Sequence, residues 1–181
     1  MTSSLKTHLL ALSLAFSLLL SHANVASAAY GTGYIALDGS SLSVSSTEEE
    51  DANPRGLRLR LGTRISEGFD LELHFGGGSD DTTQAYDELG IGYLGGYLKG
   101  YLPIGQRSAL FALVGGAAVE FTQQLPSGSF SDERMGFSYG IGLETQVSRW
   151  LDLSADVVRY TLSEDDFSEV SAVNLGLKLY F

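Results

Sequence analysis

Cysteine is absent from this 181-residue chain. Its absence excludes disulfides, zinc ribbons, thiol catalysis and an N-terminal lipidated Cys. Proline is scarce, at 3 residues, and no apolar run reaches the roughly 20 residues that a membrane-spanning helix requires. Basic residues are few, with 11 Lys and Arg against 22 Asp and Glu and a net charge of -11. Nucleic acid is excluded as a partner, because phosphate neutralisation needs clustered Lys and Arg. What remains is a chain 44% hydrophobic with 22 Gly and an aromatic set led by Tyr and Phe. That mixture suits strands, and the length suits one domain.

The first 28 residues read as a secretory signal peptide that is removed. Lys6 precedes the apolar run Leu9 to Leu20, and small residues at Ala26 and Ala28 offer a cleavage site. The mature domain is then 29–181, starting at Ala29 or Tyr30.

Period-two alternation dominates the rest. In "LRLRLGTRI", Leu57, Leu59, Leu61, Thr63 and Ile65 share one face, opposed by Arg58, Arg60, Gly62 and Arg64. In "FDLELHF", Phe69, Leu71, Leu73 and Phe75 oppose Asp70, Glu72 and His74. Further on, Phe137, Tyr139, Ile141, Leu143 and Val147 oppose Gly136, Ser138, Gly140, Gly142, Glu144 and Gln146. Leu151, Leu153, Ala155 and Val157 oppose Asp152, Ser154 and Asp156, and Val173 to Phe181 repeats the pattern against Asn174, Gly176, Lys178 and Tyr180. Three more strands fall near 30–38, 89–102 and 108–121, where Gly-rich runs leave the facing open, for eight strands of about 9–11 residues.

The connections alternate. Residues 39–54, 77–88, 122–134 and 163–169 form long ones, while "SEG", "PIGQR" and "SR" form short ones. An antiparallel up-and-down sheet would gather the long connections at one end, as in a bacterial transmembrane barrel with long extracellular loops and short periplasmic turns. Most of the 22 acidic residues fall in the long connections, as "TEEED", "SDD", "DE", "DER" and "SEDDFSE". Solvation of loop tips explains them; divalent-cation bridging to anionic headgroups, or repulsion of charged surfaces, are the functional alternatives.

The charged faces alternate with Gly, Ser and Ala, which fits a narrow lumen better than a water-facing surface. The lumen then holds Arg58, Arg60, Arg64 and Lys178 against Asp70, Glu72, His74, Glu144, Asp152 and Asp156. A tight turn sets the Arg row against Asp70, Glu72 and His74, and Lys178 is expected to reach Asp152 or Asp156. Such a network would lock the register of a barrel expected to have no apolar core. Tyr30, Tyr34, Tyr93, Tyr97, Tyr101, Trp150, Tyr160, Tyr180 and Phe181 are candidates for interfacial girdles, with Tyr101, Trp150 and Phe181 expected as the periplasmic band.

The chain ends "NLGLKLYF". Its polar Asn174, Gly176, hydrophobic Leu179 and terminal Phe181 match the C-terminal signature read by the barrel-assembly machinery. With the strand count and the loop pattern, the chain resembles the small OmpA/OmpX-like outer-membrane β-barrel family over essentially all of 29–181. The resemblance implies an all-β, eight-stranded antiparallel transmembrane barrel in the cell outer membrane of a Gram-negative bacterium. It further implies a monomer in contact with lipid and lipopolysaccharide, the assembly machinery and an extracellular ligand at the loops. No cofactor, metal site or catalytic residue is expected, and the clustered acids of "GGSDDTTQAYDE" lack the spacing of a calcium loop.

Members of the family act as structural proteins, adhesins or narrow channels, and some eight-stranded barrels modify lipid A. A structural or surface-interaction role is the leading expectation. A channel would show conductance altered by neutralising lumen charges. An enzyme would depend on His74, the one histidine of the mature chain, and a soluble lipocalin-like binder would fractionate with the periplasm.

Overall fold

The computed structural model describes residues 33–45, 54–80, 88–125, 128–162 and 169–181. They form eight strands: β1 (Gly33–Ser45), β2 (Arg55–Ser66), β3 (Phe69–Asp80), β4 (Glu88–Pro103), β5 (Ser108–Leu125), β6 (Gly128–Gln146), β7 (Leu151–Leu162) and β8 (Glu169–Tyr180). Each pairs antiparallel with its neighbours in sequence, and β1 pairs with β8, closing the barrel. Closure leaves no open edge along the wall, as a lipid environment requires of its backbone polar groups. The predicted signal peptide lies outside the described residues.

The strands are longer than the expected 9–11 residues, and the difference lies at the end of the long connections. The stretches 39–45 and 77–80 continue β1 and β3. The expected loop 122–134 is corrected most: it is the tip of the β5–β6 hairpin, whose pairing runs to Leu125↔Gly128. Alternation weakens there because a hairpin that outruns the membrane no longer has one face in lipid. At 18 and 19 residues, β5 and β6 are well beyond the roughly 9–11 of a tilted crossing. Most of the acidic connection residues lie outside the described residues. At the opposite end the turns are short, and Gly68 between β2 and β3 takes φ 81°, a conformation that side chains resist.

The two faces are those of a membrane protein. Arg60 is fully buried while Ile141 is 71% exposed. Leu57, Leu71, Leu98, Leu110, Val114, Phe137, Val157, Leu175 and Leu177 join Ile141 on the outer wall. A soluble barrel would reverse this arrangement.

Inside, bulk is matched to glycine. Tyr34 pairs with Gly62, Tyr93 with Gly76, Tyr97 with Gly115 and Phe111 with Gly142 across neighbouring strands. A Cβ at Gly62 would overlap the Tyr34 ring, and one at Gly76 the Tyr93 ring. Eight strands leave just enough room for side chains to fill the interior, so each large ring needs a small opposite number.

This pairing overturns the girdle reading for four tyrosines. Tyr34, Tyr93, Tyr97 and Tyr160 are buried in the lumen, and Tyr101 also turns inward. Trp150 and Phe181 are exposed at the short-turn end, as the band requires, and Tyr180 directs its hydroxyl to Asp152. Tyr30 lies outside the described residues. The expectation of no apolar core is also corrected. Leu42, Ile91, Val119, Phe121, Val158, Val170 and Ala172 pack with Tyr93 and Tyr160 in the lumen half toward the long connections. The lumen therefore has an apolar upper half and a charged lower half.

Candidate functional site

The lower half holds one connected set of charges. Asp38 of β1 accepts from Arg58 Nε at 2.8 Å and from Arg60 Nε and Nη2, each at 2.8 Å. Arg58 also grips Asp156 of β7 with both terminal nitrogens, one at 3.0 Å. Arg60 donates to Ser154 Oγ at 2.8 Å and lies 3.6 Å from Glu72 and 3.8 Å from Glu144. The planar guanidinium fork suits this bridging of two carboxylates.

Glu72 is a second hub. It accepts from Tyr34 Oη at 2.6 Å and Lys99 Nζ at 3.1 Å, and contacts His74 Nε2 at 2.7 Å. Lys99 also bonds Glu144, which accepts from Lys178 Nζ at 3.0 Å. Lys178 donates to Tyr101 Oη at 2.9 Å, and that hydroxyl donates to Asp70 at 2.6 Å. Arg64 Nε ends the chain on Asp70 at 3.0 Å. Every strand but β5 contributes a charged group. In β5 the inward positions are Phe111, Leu113, Ala117, Val119 and Phe121, and the Phe111 ring lies under Lys99 Nζ at 3.9 Å.

The residues singled out from sequence fall as follows. Arg58, Arg60, Asp70, Glu72, His74, Glu144, Asp156 and Lys178 are buried and come together. Arg64 does not go fully inside, since its side chain is 49% exposed at the turn end. Lys178 corrects the expectation of an Asp152 or Asp156 partner. Its backbone pairs with Asp152, yet its ammonium crosses to Glu144 and Tyr101, because a long side chain in a staggered barrel meets residues beyond its own ladder partner. Asp152 accepts only the Tyr180 hydroxyl, at 2.8 Å.

Two residues of the expected assembly signature, Asn174 and Gly176, fall on the lumen face. Asn174 accepts from Ser40 Oγ at 2.6 Å and donates to Asp156 at 2.8 Å. A Cβ at Gly176 would run into the β1 backbone at Leu37 and Asp38. Leu179 faces outward, and Phe181 is 76% exposed with its N–H bonded to the Gly33 carbonyl.

Sequence reasoning missed Asp38, Lys99 and the lumen tyrosines. Asp38, Tyr34, Lys99, Tyr93, Tyr97 and Tyr101 lie on β1 and β4, whose facing it left open, while Tyr160 lies on β7 and shares the inward parity of Asp152, Ser154 and Asp156. A signal was there: Lys99 shares a parity with Ile91, Tyr93, Tyr97 and Tyr101, and one charge in a lipid-crossing strand marks the inward face.

The described residues match known proteins in architecture. A family model for the outer membrane protein beta-barrel domain matches residues 10–181. No curated protein matches the sequence. Among solved structures, the fold is similar to Neisserial surface protein A, at a TM-score of 0.74 and 13% identity, covering 85% of this chain and 100% of that one. It is similar to the attachment invasion locus protein Ail of Yersinia pestis, at 0.65 and 17%, covering 84% and 100%. The N-terminal β-barrel domain of OprF from Pseudomonas aeruginosa gives 0.58 and 11%, covering 82% and 99%.

Proposed function

This chain belongs to the outer membrane protein beta-barrel domain family and is an outer-membrane protein, and from that premise we propose that it is a sealed barrel with a structural and surface-interaction role. The observation that carries the reading is the filled lumen. Ion-paired side chains occupy the lower half and a packed apolar cluster the upper half. An ion entering from the turns would have to break salt bridges and then cross the apolar layer, where a bare charge costs several kcal/mol.

The lumen network acts as a register lock in this reading. Buried ion pairs add little net stability over apolar packing, but a misregistered strand would leave several charges without partners. Interaction with the outside falls to the acidic connections. Ail has been solved with a heparin analogue, sucrose octasulfate, which is polyanionic. The acidic connections of this chain favour the opposite choice, a cationic surface or one bridged by divalent cations.

Single-channel recording of the refolded, heat-modifiable protein in a planar bilayer tests the sealed lumen, and silence is the expected result. Reproducible small steps that change in Arg60→Ala or Glu72→Ala would replace this reading with a narrow channel. His74 supports no lipid-modifying role, since it lies fully buried between Glu72 and the Tyr97 ring, 4.2 Å away, out of reach of lipid.

A further inference from the structure

At the short-turn end the barrel opens into a cavity of about 300 Å³. It sits below the charged network, between the β2–β3 and β4–β5 turns, and its floor includes Glu144 and Asp152. Two charges on its wall stand apart from the network. Asp152 is only 7% exposed, and its Oδ1 makes no hydrogen bond. Arg107 is exposed at the rim. The other charged lining groups are spoken for: Arg64 by Asp70, and Glu144 by Lys99 and Lys178.

Charge balance in the lumen singles out the same carboxylate. Arg58, Arg60, Arg64, Lys99 and Lys178 are matched by Asp38, Asp70, Glu72, Glu144 and Asp156, each within salt-bridge distance of a cation. Asp152 is the sixth carboxylate, and no cation of the described residues lies within that distance. The neighbouring ammonium that could have served it, Lys178, is drawn to Glu144. A buried carboxylate without a cation is costly, so this floor favours a positive donor.

We propose that this cavity is a binding site for a small zwitterion carrying an ammonium and a carboxylate, the amino-acid class of solute. The ammonium pairs with the Asp152 carboxylate at the floor, whose Oδ1 is itself enclosed by protein, and the ligand carboxylate meets the Arg107 guanidinium at the rim, whose fork suits that partner. Tyr180 holds Asp152 in place through the other oxygen, and the Tyr101 and Tyr180 side chains wall the space between. Because short turns face the periplasm in this family, the solute enters from the periplasmic side.

Solution NMR of the full barrel refolded in detergent micelles tests this with three probes: β-alanine, ethylammonium and propionate. The backbone and side-chain amides of Gln146 and the backbone amide of Asp152 report on the floor. β-Alanine and ethylammonium are expected to give saturable shifts, with a several-fold lower Kd for β-alanine, and propionate none. Asp152→Asn should abolish both responses, and Arg107→Gln should bring the Kd of β-alanine to that of ethylammonium. Absence of saturation with both amines, equal binding of propionate, or a response unchanged in Asp152→Asn would overturn the site. A β-alanine Kd no lower than that of ethylammonium would overturn the zwitterion assignment. The three-probe comparison on the unaltered protein decides the matter even where Asp152→Asn fails to refold.

Discussion

Asp38 is the anion between two buried arginines, and Asp38→Asn is the most direct perturbation of the lumen. The substitution conserves volume, so no cavity cost enters. It removes the charge that accepts three hydrogen bonds, from Arg58 Nε and from Arg60 Nε and Nη2. Hydrogen bonds to charged groups contribute about 1.5–3 kcal/mol, and breaking a buried pair costs about 3–5 kcal/mol. Arg58 keeps Asp156, and Arg60 keeps Ser154 with Glu72 at 3.6 Å, which places the loss at the lower end. About 3 kcal/mol is expected, on the order of a hundredfold in the folding equilibrium. Reversible urea unfolding in lipid vesicles reads it, with the single Trp150, exposed on the outer wall, as reporter. Adding Arg60→Met should recover part of the loss, with a coupling of about 1.5 kcal/mol or more. An Asp38→Asn protein within about 0.5 kcal/mol of the parent, or an additive cycle, would refute the register lock.

Gly176→Ala forces a Cβ into the backbone of β1 and should cost roughly 1–3 kcal/mol in the same titration, whereas Gly92→Ala, with nothing within 4 Å, should stay within about 0.5 kcal/mol. The C-terminal signature can be dissected by comparing cells with refolding in vitro. Deleting Phe181 should lower the amount reaching the outer membrane while leaving the vesicle unfolding midpoint nearly unchanged. Asn174→Ala, which leaves the Ser40 hydroxyl without its acceptor and takes one of three donors from Asp156, should lower stability in vesicles by about 1–2 kcal/mol. His74→Ala should leave lipid A identical by mass spectrometry to that of cells with the unaltered protein; a mass difference tracking His74 would revive the enzymatic alternative.

Much of the wall was readable from local pattern. On β2, β3, β6, β7 and β8, charge alternates with leucine or aromatic residues, and side chains two apart must share a face, so inside and outside followed once the environment was assigned. The short turns marked one end of the barrel by their length. On β1, β4 and β5 the same rule gave no answer, because both parities carry apolar or glycine residues. On β4 the one local cue was Lys99, which shares the parity of the inward tyrosines, and the room for those rings is supplied by Gly76 of β3 and Gly115 of β5.

The sequence by itself determined the number of strands, their alternation, the lipid-facing band and most of the charges sent inward, because a strand's two faces are set by neighbours one and two residues away. Tertiary structure decided who meets whom in the lumen. Arg58 finds Asp156, 98 positions on, and Lys178 passes over its ladder partner for Glu144. Those meetings depend on the stagger with which the eighth strand closes on the first, and that stagger belongs to the closed ring rather than to any strand within it.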